Sequence, residues 1–175
     1  REKGEDRVSY DVMDWFLRGM ERESYYTLHS YPLNQMYGEQ SGVPEFLLRT
    51  HPLNGEKDAR NYVRRLGAVG TYFDGILERM RHQEELGILP PRFVVQKVLH
   101  EMREFIAPPP EEHVLYTHLA ERLAGMEGLD DARRAKLLDE ARAEIENTVY
   151  PTYRRLIEYY EELEPKTTED DGVWK

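Results

Sequence analysis

The side chains closest to a catalytic metal motif are His100 and Glu101, in the run LHEMREF. A zincin helix carries H-E-x-x-H because residues at i and i+4 project from one face and both imidazoles must reach the same ion. The i+4 position here is Glu104, so the motif is incomplete. His113 and His118 are separated by about 140° on a helix, which prevents them from sharing an ion unaided. The sequence therefore predicts a solvent-facing or hydrogen-bonded helix histidine at position 100.

Other catalytic patterns are missing from the sequence. The absence of cysteine excludes disulfides, thiolate catalysis and cysteine-type zinc sites. Ser41, in EQSGVP, lacks the preceding glycine of the G-x-S-x-G nucleophile turn, and no phosphate-binding G-x-G-x-x-G or P-loop occurs. Acidic pairs such as Glu84-Glu85 lie on predicted polar faces rather than in a cleft, so we interpret them as solvated surface. His51, followed by Pro52, is typical of a loop histidine that makes one backbone hydrogen bond.

Composition restricts the classes of partner. The 175 residues carry a formal net charge of −10, and nucleic-acid binding needs a basic surface, so we expect no nucleic-acid partner. No apolar run approaches the roughly 18 residues that span a bilayer, and the start does not resemble a signal peptide, so we expect no membrane partner. The length predicts one domain with its own core. The charged start without Met and the end at Lys175 lead us to expect a piece of a longer polypeptide.

One non-helical stretch interrupts an otherwise helical pattern. It is YPLNQMYGEQSGVPEFLLRTHPLN, residues 31–54, whose prolines and glycines leave no room for a helix longer than about two turns. Its many apolar residues nevertheless favour burial. We therefore predict an ordered segment that crosses between helices, with a short helix from Pro44 to about Thr50. The amides of Asn34 and Gln35 would need hydrogen-bond partners if buried.

The remaining sequence has the apolar period of amphipathic helices. Together with the short helix above, we predict about six helices, at roughly residues 5–28, 44–50, 55–86, 91–107, 111–127 and 131–163. Asn54 is the expected N-cap of the third helix and Gly87 its end. Glu111 and Glu112 are expected in the first turn of the fifth, and Pro151 predicts a kink in the last. The predicted fold class is all-α: an irregular array of mostly antiparallel helices with one long kinked C-terminal helix.

Tyrosine is unusually frequent, with 12 residues in the chain. We expect these side chains to pack at helix interfaces with the hydroxyl at the rim, and the alternative is that they line a peptide-contacting groove.

The predicted domain spans residues 1–165. It is followed by a polar tail, residues 166–175, that we expect to be exposed.

Several short motifs, taken in order, resemble one known family. They are PLNQMYGEQSGVPEFLLRTHPLN (32–54), YVRRL (62–66), GILPPRFVVQKV (87–98) and the closing TTEDDGVWK (167–175). In order and spacing they resemble the bacterial family named domain of unknown function 885, over essentially the whole chain. The resemblance implies a longer, mostly helical protein placed among zincin-like metallopeptidases, with a metal motif of the H-E-x-x-P-G-H type in its later half. This sequence contains no such motif.

The resemblance implies that this chain is the non-catalytic amino-terminal helical part of a zinc-dependent peptidase. It implies zinc in the full-length protein, no cofactor in this part, and no enzymatic activity of this part alone. No catalytic residue and no metal ligand carries over. The partners would be the remainder of its own chain and, in the full-length protein, a peptide substrate. The compartment would be the bacterial cytoplasm or the cell envelope.

A role in shaping the substrate cleft does carry over. A non-helical, amide-bearing segment flanked by apolar residues is unusual for pure scaffold. We therefore expect Asn34, Gln35 and Tyr37 to face the side on which the catalytic part docks. His51 and Arg92 are further candidates for the same face.

A second interpretation is a self-sufficient helical module that binds a partner helix through an exposed apolar groove, without enzymatic activity. Under the first interpretation, an uncovered docking face should form an apolar patch larger than about 300 Å² and promote a homodimer. Zinc and peptidase activity measured in the full-length protein and in this chain would separate the two interpretations. Zinc and activity in the full-length protein only would favour the first.

Overall fold

The computed structural model describes residues 2–170, with the main chain alone for residues 2, 3 and 5. Its regular elements are helices: α1 (Glu2–Ser24), α2 (Glu39–Glu45), α3 (Glu56–Glu85), α4 (Arg92–Phe105), α5 (Val114–Ala124), α6 (Asp131–Glu144) and α7 (Tyr150–Leu163). A π-helical turn at Phe46–Thr50 continues α2, and another at Ile145–Val149 joins α6 to α7. Short 3₁₀ turns lie at Thr27–His29 and Glu164–Lys166. The described residues thus confirm the all-α class and the long last helix.

The core lies between α3 and the long helix formed by α6 and α7. α3 contacts α6, the second π turn and α7, while α4 packs on α7 and α5 packs on α6. Phe73 of α3 and Tyr153 of α7 are both buried, with ring centroids 5.6 Å apart. Burying one such aromatic side chain contributes about 1.5–3 kcal/mol. None of the helices within residues 2–170 combines the length and apolar composition needed to cross a bilayer.

The long helix changes its hydrogen-bonding pattern just before Pro151. Because Pro151 has no N–H to donate, one helical hydrogen bond is lost there. The π turn at Ile145–Val149 widens the helix at this point. Ile145 and Val149 stay buried through the turn. The structure thus has a π turn in the residues that precede Pro151, while the predicted kink itself stays a prediction.

The short helix of segment 31–54 begins at Glu39, earlier than the predicted start at Pro44. Pro44 lies inside this helix and cannot donate to the carbonyl of Gln40, one turn before it. The hydroxyl of Tyr153 donates to that carbonyl instead, at 2.5 Å. A side chain from α7 thus supplies the hydrogen bond that Pro44 removes, which explains why the local prediction was wrong.

The ends of α3 agree in part with prediction. Gly87 follows the helix with φ of +73°, the left-handed conformation expected for a residue that ends a helix. At the other end the N-cap is Gly55 rather than Asn54. The side chain of Asn54 makes no cap; its backbone N–H donates to the carboxylate of Asp58 at 3.1 Å.

α5 begins at Val114, later than the predicted start near Glu111. The N-cap is His113, whose Nδ1 accepts a hydrogen bond from the backbone N–H of Leu115 at 3.3 Å. Histidine is not a preferred N-cap residue, so propensity rules gave no reason to place the helix start here.

α1 is a helix, as predicted, but its apolar face is not buried. The helix ends at Ser24, and the chain beyond it is tied to α3, where Arg79 donates to the Thr27 carbonyl (2.7 Å) and Gln83 to the Ser30 carbonyl (3.0 Å). Within residues 2–170, α1 does not pack along another helix. None of the described residues therefore supplies a surface against which this amphipathic helix could pack, and its apolar side chains stay exposed.

Candidate functional site

Segment 31–54 is packed against the core, as predicted. Leu33 and Leu47 are buried. The hydroxyl of Tyr160 donates to the Leu33 carbonyl at 3.0 Å, in addition to the contact from Tyr153 to Gln40. The long helix therefore holds the segment at two points, and these contacts fix the polar residues that lie between them.

Asn34 folds the chain into a turn. Its Oδ1 accepts hydrogen bonds from the backbone N–H groups of Met36 (3.0 Å) and Tyr37 (2.8 Å), and its Nδ2 donates to the Tyr31 carbonyl (3.0 Å). Both ends of the amide are therefore used inside the segment. The turn brings residues 35–37, here called the tip, to the surface, with Met36 68% and Tyr37 87% exposed.

Gln40 joins the tip to α4. This residue is 4% exposed, and its Nε2 donates to the Asn34 carbonyl at 2.7 Å and to the Glu101 carboxylate at 3.1 Å. A Cβ atom at Gly38 would lie 2.0 Å from Gln40 Oε1 and 2.5 Å from the Asn34 backbone, so glycine is required there. Sequence analysis did not identify Gln40. The available signal was weak, because Gln40 is one of four amide side chains in segment 31–54.

An apolar groove opens beside Gln40, with a volume of about 380 Å³. Its lining residues are the apolar Pro44, Leu48, Met102, Phe105 and Val114, together with Tyr153, Gln40, Ser41, Glu45, Arg49 and Glu101. A concave apolar surface with a few polar groups is suited to an apolar side chain of a ligand. Gln40 lines the groove and also donates to the carbonyl of Asn34, the residue that precedes the tip, so we treat the tip and the groove as one surface, which we call the candidate site.

The polar groups that contact Gln40 are engaged in hydrogen bonds with it. The hydroxyl of Tyr153 is committed to the Gln40 carbonyl. Burial raises the pKa of Tyr153 above the ordinary tyrosine value, so the hydroxyl stays neutral. The Glu101 carboxylate, in turn, accepts the hydrogen bond from the Gln40 amide.

His51 lies at the start of α3, away from the groove lining. The residue is buried. Its Nε2 donates to the Asp58 carbonyl at 2.9 Å, with the guanidinium of Arg65 hydrogen-bonded to Nδ1, and its ring lies 5.4 Å from that of Tyr62. The backbone hydrogen bond expected for this histidine is thus present. These contacts show that His51 stabilises the start of α3, so any effect of His51 on a bound ligand would be indirect.

Arg92 holds the end of the described chain against the start of α4. Its guanidinium donates to the Thr167 carbonyl at 2.6 Å and pairs with Glu169 at 2.9 Å, and its backbone N–H donates to the Thr168 carbonyl at 3.0 Å. Thr167 is buried. The prediction of an exposed tail was therefore wrong at Thr167, and residues 171–175 of that tail lie outside the described residues.

The other histidines named in the sequence do not converge on one site. His113 is completely buried against the ring of Phe105, and burial lowers its pKa to about 4, although the Phe105 main chain acts in the opposite direction. His118 lies against Tyr62, with centroids 6.3 Å apart, and His100 is exposed on α4. Within residues 2–170, no group of three or more histidine, aspartate or glutamate side chains is arranged to hold a metal ion.

Five tyrosine hydroxyls donate to main-chain carbonyls in loops and helix ends rather than to solvent at the rim. The pairs are Tyr31 to Leu89, Tyr62 to Leu115, Tyr150 to Pro108, Tyr153 to Gln40 and Tyr160 to Leu33. Each bond gives the tyrosine hydroxyl an acceptor and gives the carbonyl a donor within the fold. Packing of tyrosines at helix interfaces was predicted, whereas this use of the hydroxyl was not.

Comparison with known proteins identifies the family. The model of the family described as "Bacterial protein of unknown function (DUF885)" matches residues 1–173, and the chain belongs to this family. Among curated proteins, no sequence matches the chain.

A solved structure shares the fold. It is described as the crystal structure of the "putative lipoprotein" from Colwellia psychrerythraea, and it superimposes with a TM-score of 0.80 at 22% sequence identity. The match covers 82% of this chain and 25% of that chain. The chain therefore spans about a quarter of the length of the solved protein that it resembles.

Proposed function

We propose that this chain is the non-catalytic helical part of a zinc-dependent peptidase, in which the candidate site forms one wall of the substrate cleft. The zinc ion and the catalytic residues would belong to the remainder of the same polypeptide, and this part alone would be inactive. The proposal combines the family membership with the metallopeptidase character that the motif resemblance implies. The short span of this chain relative to its solved neighbour agrees with it.

The connection through Gln40 is the observation that carries the proposal. An exposed aromatic tip and an apolar groove are commonly unrelated surface features, but here one buried amide bonds to the residue that precedes the tip and also lines the groove. A rigid wall of this kind restricts a peptide to few positions, which is what a peptidase requires of residues that do not react. The groove volume of about 380 Å³ is enough for a large apolar side chain.

The five predicted cleft residues would have different roles. Gln35 and Tyr37, in the tip, would contact a peptide. Asn34 would position them through its hydrogen bonds to the turn. His51 and Arg92 would act indirectly, by fixing the start of α3 and of α4.

Metal analysis and a peptidase screen on this chain and on the full-length polypeptide test the proposal. We expect zinc and peptide hydrolysis in the full-length polypeptide only. Zinc bound by the 175-residue chain, or peptide hydrolysis by it, would overturn the proposal.

A second experiment tests the cleft wall. In the active full-length polypeptide, Tyr37→Ala should raise KM for a peptide at least about fivefold, the effect of losing roughly 1 kcal/mol of contact. Tyr25→Ala is the matched control, because Tyr25 is similarly exposed, at 80%, and lies outside the candidate site. Equal KM values for the two variants would show that the tip is not part of the substrate cleft.

The alternative, a self-sufficient interaction module, is favoured by one observation, the exposed apolar face of α1. It predicts a full-length polypeptide without zinc or peptidase activity.

We propose the bacterial cytoplasm or cell envelope as the compartment, and the description of the solved neighbour as a "putative lipoprotein" agrees with the envelope.

A further inference from the structure

α1 exposes an unusual amount of apolar surface. Its large apolar side chains are between 52% and 71% exposed; they are Val8, Tyr10, Val12, Met13, Trp15, Phe16, Leu17 and Met20. A monomeric protein rarely leaves an apolar patch larger than about 300–600 Å² in water. Eight large side chains exposed by more than half approach the roughly 800 Å² that each partner contributes to a standard protein interface.

The distribution of these side chains around the helix is also unusual. At about 100° per residue they occupy an arc of roughly 220°, with Phe16 near its centre. Between residues 8 and 20 the charged side chains are Asp11, Asp14 and Arg18, which fall within about 60° of each other on the opposite side. Arg18 and Asp14 also bond to each other, at 2.8 Å. A helix that lies on a protein surface has an apolar stripe of about 100° or somewhat more. The arc of α1 is roughly twice that width, which is the pattern of a helix enclosed from two sides.

We infer that the apolar arc of α1 is a core element of a larger unit, enclosed by helices from the remainder of the same polypeptide. The inference rests on the proposed function in requiring a longer polypeptide, but it does not depend on zinc or peptidase activity. It identifies α1, rather than the candidate site alone, as the main attachment between the two parts.

Two observations favour this occupant over a second copy of the chain. Pairing with one helix of a second copy would cover a stripe of about 100° and leave the rest of the arc in water. The solved protein with the same fold has about three quarters of its length outside the matched region, since the match covers 25% of it. A protein of that size has enough additional chain to enclose a helix on two sides.

Hydrogen exchange of the α1 amides tests the inference. The experiment compares the 175-residue chain with the full-length polypeptide, both at low micromolar concentration and without added metal. α1 should exchange rapidly in the chain, because it has no packed neighbour there, and at least about tenfold more slowly in the full-length polypeptide. Rapid exchange of the α1 amides in both proteins would overturn the inference. Slow exchange already in the isolated 175-residue chain would also overturn it, because a second copy or the chain's own body would then cover α1.

A pair of glutamate substitutions locates the enclosed face. Phe16→Glu introduces a charge at the centre of the apolar arc, and Arg18→Glu introduces the same residue in the charged sector. In the full-length polypeptide, Phe16→Glu should lower the melting temperature by at least about 5 °C and Arg18→Glu by much less. In the 175-residue chain neither should have this effect. Equal shifts in the full-length polypeptide would contradict the enclosed arc.

These outcomes are separate from those of the proposed function. Protected α1 amides in a full-length polypeptide that has neither zinc nor peptidase activity would support the inference and reject the peptidase. An active, zinc-containing full-length polypeptide with unprotected α1 amides would support the peptidase and reject the inference.

Discussion

The hydroxyl of Tyr153 donates to the main-chain carbonyl of Gln40 at 2.5 Å, and this carbonyl is the one that Pro44 leaves without a helical donor. A residue of α7 thus completes a helix that is 113 positions earlier in the chain. The bond also fixes the backbone of Gln40, whose side chain holds the tip and one end of the groove.

Tyr153→Phe should destabilise the protein by about 1–3 kcal/mol, because the Gln40 carbonyl would remain buried without a donor. Pro44→Ala provides the control, since alanine restores an N–H at the position that bonds this carbonyl in a regular helix. In a double-mutant cycle by urea unfolding, the loss caused by Tyr153→Phe should be smaller in the Pro44→Ala background than in the unaltered chain. Equal losses in both backgrounds would mean that the hydroxyl has another function.

Gly38→Ala should cost at least about 2 kcal/mol, because the added methyl group would overlap Gln40 Oε1 and the backbone of Asn34. Gly75→Ala is the matched control. Gly75 lies inside α3, a Cβ atom there has no described atom within 4 Å, and alanine should stabilise the helix by about 0.5–1 kcal/mol. Thermal unfolding of both variants measures the difference, and a neutral Gly38→Ala would show that the tip is less rigid than its contacts indicate.

Stability should fall as the pH is lowered from 6.5 to about 4, because burial holds the pKa of His113 at about 4 in the folded state. In this range the unfolded chain binds a proton at His113 and the folded chain does not, so acid favours unfolding. The stability that neutral His113 contributes is fully present above pH 6.5. Its loss on lowering the pH to about 4 is on the order of 3 kcal/mol. Burial also lowers the pKa of His118, which adds a smaller slope of the same sign.

His113→Asn should flatten this pH dependence, since asparagine keeps a cap for α5 without titrating. The free energy of unfolding at a series of pH values is the measurement. His82→Gln, at an exposed histidine of α3, should leave the slope as it is in the unaltered chain. A slope that persists in His113→Asn would assign the acid sensitivity to other groups.

The isolated chain should associate weakly with itself through α1 at high concentration and dissociate on dilution, because two copies can cover only part of the apolar arc. Light scattering across a dilution series measures this equilibrium. Phe16→Glu should abolish the association, whereas Arg18→Glu should not. A chain that stays monomeric at high concentration would weaken the homodimer prediction.

Local rules predicted most of the helix pattern. Gly87 and the triple proline at 108–110 mark helix boundaries through backbone geometry alone, so they could be read without any tertiary information. The start of α2 could not, because the hydroxyl that replaces the hydrogen bond lost at Pro44 comes from the distant Tyr153. The start of α5 depends in a similar way on burial of His113, which the sequence does not reveal.

The candidate site was predictable in part. The need of the Asn34 amide for partners followed from its residue type, and the structure supplies three of them. The groove was not predictable, because its lining comes from four separate stretches of the chain. Periodicity predicted that α1 is helical but could not show that the surface it requires is not among residues 2–170.

The π turn at Ile145–Val149 sets the orientation of everything after it in the long helix. Such a turn holds one amino acid more than regular α-helical winding would, which is how a helix absorbs a single inserted residue. If the same residues wound as a regular α-helix, the extra residue would rotate every later side chain of α7 by about 100° relative to α6. Tyr153 and Tyr160 would then both point away from the Gln40 and Leu33 carbonyls, so this one widened turn determines whether the long helix can hold segment 31–54.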